Sequence, residues 1–166
     1  MNIVKRHSKR RAVKWENSEF EEWKGMSATV KGDCGEEIIC FHIKNLFENA
    51  EIINRGKGEF DILTESGLKI ECKTATEDSN GAFQLNGIKK NIGYDYIFGL
   101  CVSPNELWFG IWSKKEMQEL NVAMTKDGSD TFKLSARKSR KSSKSKYTVL
   151  PLTKENLLSQ WSSKIV

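Results

Sequence analysis

The stretch "GEFDILTESGLKIECKTA", residues 58 to 75, decides how this chain is read. Leu68, Ile70 and Cys72 alternate with Lys69, Glu71 and Lys73, a period of two that predicts a strand with one apolar and one polar face. "EFDILT" before it predicts the partner strand, and "ESG" makes a three-residue hairpin loop with Gly67 in its left-handed position. In that register Thr64 pairs with Leu68, and Asp61 falls opposite Glu71. A slip of one residue would separate them, so the two acids meet only if this register holds.

Carboxylates directly opposite each other repel, and Lys73, on the face of Glu71, supplies one compensating charge. A further acid lies upstream. Residues 34 to 48, "CGEEIICFHIKNLFE", carry apolar side chains at helical spacing, with Glu36 at the centre of the stripe formed by Ile39, Cys40, Ile43, Leu46 and Phe47. An acid on a buried stripe needs compensation. Oxygen ligands from Asp61 and Glu71, with Glu36 as a third candidate, suit a hard divalent cation, Mg²⁺ or Mn²⁺, with water completing its shell. Lys73 is then placed to orient or help deprotonate a water for in-line attack on a phosphodiester. The competing reading is an ordinary half-exposed hairpin with a Glu–Lys pair.

Charge supplies a partner for such chemistry. The net charge of +5 is concentrated: residues 5 to 14, "KRHSKRRAVK", and 137 to 146, "RKSRKSSKSK", each carry six Lys or Arg and no acid. Of the 27 basic residues 15 then remain against 22 acidic ones, so the rest of the chain is net −7. Basic tracts of this kind bind polyanions through phosphate contacts, although a solvated tail has the same composition.

The remaining composition narrows the class. With 166 residues, 38% hydrophobic and 30% charged, one globular domain is expected. No apolar run has the length of a membrane span and "MNIVKRHSKRRAVKW" does not read as a signal peptide, so a cytoplasmic protein is expected, without membrane partners. Four cysteines without a CxxC pair predict reduced thiols and no zinc site. Two histidines, His7 and His42, argue against a His-dependent triad or a His-rich zinc nuclease.

Around the hairpin, residues 16 to 25 predict a short helix and "AEIINR" a first strand. Phe83 to Asn91 reads as a short helix or irregular turn, followed by antiparallel strands "YDYIFGLCVS" and "ELWFGIW" and a helix "SKKEMQEL" capped by Ser113. Trp108, Phe109 and Trp112 are expected in the core ahead of base stacking or a dimer contact. Residues 123 to 146 read as a basic flexible loop. "YTVL" predicts a last strand, and Thr153 caps a terminal helix.

Asp61 in "FDIL", Glu71-Cys72-Lys73 in "IECKT" and the upstream "KGDCGE", Lys31 to Glu36, together resemble the PD-(D/E)XK nuclease superfamily, nearest in motif to archaeal-type Holliday junction resolvases. Phe60 stands where the signature has proline. The resemblance spans residues 31 to 112 and implies an α/β restriction endonuclease-like core, a central mixed sheet in an αβββαβ arrangement flanked by helices. To this the chain adds a C-terminal basic insertion and helix. The resemblance implies Mg²⁺-dependent DNA hydrolysis, with Mn²⁺ as a substitute, and a homodimer. It carries over Asp61 and Glu71 as metal ligands, the Cys72 carbonyl as a further ligand, Lys73 as the catalytic lysine, and Glu36 as a helix-borne accessory carboxylate.

Gln84 is a candidate near the site by the same likeness, and Lys69 is a candidate phosphate contact. Backbone contacts to DNA are expected from Lys5, Arg6, Lys9, Arg10 and Arg11 in a basic arm, residues 1 to 15. Arg137, Lys138, Arg140, Lys141 and Lys144 are expected to act likewise. Residues 16 to 166 would be one nuclease domain, with its core at 31 to 120, the basic loop at 123 to 146, and a final strand and helix at 147 to 163. The expected function is a Mg²⁺-dependent DNA endonuclease selective for branched structures. A sequence-specific restriction or homing type endonuclease and a noncatalytic nucleic-acid-binding module are the alternatives.

Overall fold

In a computed structural model of the chain, which describes residues 15–53, 59–89, 93–119, 125–126, 130–139 and 147–165, the hairpin forms in the expected register from Thr64 back to Ile62, and the ladder stops short of an Asp61–Glu71 pair. After a 3-10 turn at Glu21–Gly25, the elements run α1 (Ala28–Leu46), β1 (Ala50–Ile52), β2 (Ile62–Thr64), β3 (Lys69–Thr76), β4 (Ala82–Lys89), β5 (Tyr96–Val102) and β6 (Leu107–Ser113). They continue with α2 (Lys114–Glu119), β7 (Thr125–Lys126), β8 (Thr131–Lys138), β9 (Thr148–Pro151) and α3 (Lys154–Lys164). Ile62 pairs with Ile70 and Leu63 with Lys69, and Gly67 takes a φ of 88° in the loop.

The strands form a nine-stranded mixed sheet in the order β1-β2-β3-β5-β6-β9-β8-β4, with β7 added beside β8. β3 and β5 are parallel, as are β8 and β9, and the other neighbours are antiparallel. β4, last in that order, meets β3 again through a bridge between Glu77 and Phe83. The sheet therefore curls back on itself.

Two cores follow from the strand alternation. Ile70, Cys72, Phe98, Leu100, Phe109 and Ile111 point to the side covered by α1 and α3, where they pack with Ile39, Ile43, Trp23 and Trp161. Ala75, Ile97, Cys101, Trp108 and Trp112 point the other way, into a core completed by Phe83, Leu85, Ile88, Leu134 and Ala136 from β4 and β8. Strands covered on both faces read as continuous apolar runs, which is the character of "YIFGLCV" and "LWFGIW". Phe109 and Trp112 are core residues, as expected, and Trp108 lies with them.

Two expectations are corrected. The expected helix or turn from Phe83 is instead a strand, Ala82–Lys89, with residues 90 and 91 outside the described ones, so among the described residues no helix stands between β3 and β5 and the αβββαβ order fails at that element. The cause is a bulge. Phe83 and Leu85 are two apart but Leu85 and Ile88 three, because the register shifts between them and Gly87 adopts φ 68°. That spacing imitates helical periodicity. Residues 131 to 138, expected within a flexible loop, form β8, whose buried Leu134 and Ala136 alternate with Lys133, Ser135 and Arg137. The basic composition hid a period of two.

Helix α1 begins at Ala28, ahead of the expected start, because the Ser27 side chain accepts a hydrogen bond from the Val30 amide. Among the described residues no helix is long and apolar enough to cross a membrane.

Candidate active site

The site forms where β2 and β3 part company. Their ladder ends at Ile62 and Ile70, extended by one bond from the Asp61 amide to the Ile70 carbonyl at 2.9 Å. Beyond it the edge of β3 is open, and Asp61 Oδ2 accepts the Cys72 amide there at 2.7 Å. The side chain of Asp61 thus takes the place of the next backbone partner. In a strand the amide and carbonyl of one residue point to the same edge, so the Cys72 carbonyl faces Asp61 as well.

Glu71 projects from β3 toward the second core and is 7% exposed. Lys73 Nζ donates to its Oε1 at 2.5 Å. Burial raises the Glu71 pKa above the ordinary carboxylate value, with Lys73 opposing the shift and Asp61 adding to it by charge and hydrogen bonding. Tyr94, 1% exposed, feels the same acid: burial first, then the charge of Glu71, pushes its hydroxyl up to about 12.

Helix α1 supplies the other wall. Ala28, Lys31, Gly32 and Glu36 follow helical spacing along one face and line a cleft of about 300 Å³ with Asp61, Cys72, Lys73 and Thr74. Glu36 is half-buried with its Oε2 shielded from solvent. The approach of α1 depends on Gly35, where a Cβ would run into Thr74 Oγ1 and lie 3.1 Å from Thr74 Cβ. Cys72 registers the combined field. Burial pushes its thiol pKa well up, and the charges of Asp61, Glu36 and Glu71 each raise it further against the opposition of Lys73.

The structure therefore brings Glu36, Asp61, Cys72 and Lys73 to one cleft, with Glu71 joined to it through Lys73 and Asp61. Lys31 and Tyr94 were not singled out as site residues from sequence. Lys31 had a signal, since it stands on the helical face of Glu36. Tyr94 had none within its own segment, because its place beside Glu71 arises from the parallel pairing of β3 and β5.

Among the nucleic-acid candidates, Lys69 is exposed, with its ammonium 5.7 Å from the centre of the Phe60 ring. Arg137 is exposed and donates to the Asn80 carbonyl at 3.3 Å. Gln84 does not reach the cleft: its Nε2 donates to Ser135 Oγ at 3.1 Å and to Asp78 Oδ2 at 3.5 Å. Lys138 differs from expectation too. Strand alternation turns it inward, where it pairs with buried Glu77 at 3.1 Å and lies 5.0 Å from the centre of the Trp108 ring. Lys5, Arg6, Lys9, Arg10, Arg11, Arg140, Lys141 and Lys144 lie outside the described residues.

Among the described residues no three His, Cys, Asp or Glu side chains already stand in metal-binding proximity. The donor set nevertheless fits a hydrated hard cation: Asp61 and Glu71 are oxygen donors under mutual charge stress, and Mg²⁺ characteristically keeps several waters while taking one or two carboxylates.

Comparison with known proteins agrees with the fold. A bacterial homing endonuclease, I-Ssp6803I, superposes with a TM-score of 0.54 over 85% of this chain and 99% of its own, at 11% sequence identity. At that identity the likeness is one of fold. No family model and no curated protein matches the sequence.

Proposed function

We propose that this chain is a metal-dependent DNA endonuclease of the PD-(D/E)XK type that cuts duplex DNA at recognised sequences. The observation that carries the reading is the placement of Asp61 at the open edge of β3, against the Cys72 amide and beside the Glu71–Lys73 pair. Asp61, Glu71 and the Cys72 carbonyl would hold Mg²⁺, with Mn²⁺ as a substitute. Bound there, the cation supplies a Lewis acid that offsets charge developing on the phosphate. The Cys72 amide holds the Asp61 carboxylate at the edge of β3, where it would serve as one of the oxygen donors to the cation. Lys73, exchanging its bond to Glu71 for one to water, orients the nucleophile for in-line attack. Glu36 holds negative charge on the helical wall, and Lys31 beside it receives a phosphate oxygen.

A homing or restriction type of enzyme is favoured over a junction resolvase by a fold likeness that takes in nearly the whole of the homing endonuclease chain. The resolvase reading keeps one support, the "KGDCGE" helix that brings Glu36 to the cleft. Cutting both strands of a duplex takes two such sites, so the working form is proposed to be a homodimer. The two readings separate on substrate. With Mg²⁺, a long duplex of diverse sequence should be cut into discrete fragments while a synthetic four-way junction of unrelated sequence stays intact. Cutting of the junction alone would support the resolvase, and binding without cutting of either would leave a noncatalytic module.

A further inference from the structure

The outer face of the β4–β8 ribbon is a second polar surface, separate from the cleft. Pairing and burial determine which side chains it displays. Phe83 and Leu85 pair with Ala136 and Leu134 and, with Ile88, turn into the second core, each no more than 1% exposed. Gln84 lies opposite Ser135 on the other side, and Asn86, Lys89, Lys133 and Arg137 share that face, all exposed or half-buried.

We infer that this ribbon enters the major groove of duplex DNA and reads base edges, an inference that rests on the nuclease reading above. The major groove, about 12 Å wide, admits a two-stranded β-ribbon, and here β4 is the outer strand, with β7 and β9 pairing the far edge of β8. With Thr131, which pairs with Lys89 on the same face, the outward side chains are two amides, two lysines, an arginine, a serine and a threonine, the types that pair with adenine, guanine or either in that groove, and none of these seven is acidic. Gln84 is already oriented. Because the Asp78 carboxylate only accepts, the amide Nε2 must face it, and Oε1 is the atom left to take a bond from the amino group of adenine or cytosine.

The apolar inner face fixes the ribbon to the core, which gives the polar side chains the rigid footing that recognition requires. The Glu77–Phe83 bridge then ties it to β3, the strand bearing Glu71 and Lys73. Beyond that bridge β4 pairs with β8 alone. A duplex whose backbone lies at the open edge of β3 thus has the ribbon beside it.

The test selects duplexes from a randomised DNA pool with the full chain carrying Asp61→Asn, so that bound molecules are not cut, and sequences the bound fraction. The parent is expected to enrich a motif. Gln84→Ala with Asn86→Ala is expected to weaken the preference about tenfold at a contiguous block of positions. Lys133→Ala should weaken an adjoining guanine position, and circular dichroism melts confirm that each variant is folded. A motif unchanged in both variants would overturn the ribbon and leave the nuclease standing. Binding by the parent without any enrichment would also overturn the ribbon. Failure of the parent to bind duplex DNA would remove both readings.

Discussion

Glu71 sits between Lys73 and Asp61, and its burial makes the ionised form costly. The sign of the resulting pH dependence follows from linkage. A carboxyl whose pKa is higher folded than unfolded favours the native state most below the unfolded value near 4.5, and that advantage is lost as pH rises through the folded value. Glu71→Gln removes the ionisation. In chelator, its thermal midpoint should exceed that of the wild type at neutral pH and converge with it in acid. A lower midpoint at neutral pH would mean that the bond from Lys73 outweighs burial. Lys138 illustrates the converse at the same scale: composition placed it with the basic tract, but its strand position commits it to Glu77 and Trp108.

Among the elements, the contact of α1 with β3 brings Glu36 to the cleft, and Gly35 sets its distance. Gly35→Ala raises intrinsic helix propensity by about 1 kcal/mol, yet should cost roughly 1–3 kcal/mol net because the new Cβ strikes Thr74. Adding Thr74→Ala removes the struck hydroxyl and should return much of the loss. Urea unfolding of the four proteins in the cycle measures this, and strictly additive effects would show that the helix has room to spare. The same contact explains what the sequence concealed. The hairpin register and the Glu36 stripe were legible because each depends on local periodicity, whereas the role of Gly35 depends on a strand some forty residues away. β4 was misread because its bulge spoils the period of two, and β8 because Lys133, Ser135 and Arg137 occupy its outer face.

For the whole molecule, the curled sheet puts a core on each face and leaves the candidate site at the open edge of β3. One side of β3, β5 and β6 is committed to packing against α1 and α3, including the Phe47–Trp161 stack at 4.1 Å. The other side carries Glu71 and Lys73 where β3 is free of β2 and not yet joined to β4. Neither neighbour alone predicts that opening; it arises from the long-range pairing of β4 with β8 and β8 with β9. The proposed hydrolysis at this opening is measured most directly as cleavage of supercoiled plasmid by wild type, Asp61→Asn and Lys73→Ala, in Mg²⁺ and in chelator. The wild type should nick or linearise the plasmid only with the metal, and each substitution should slow it by at least about 10²-fold. Cleavage by both variants at the wild-type rate would contradict the assignment.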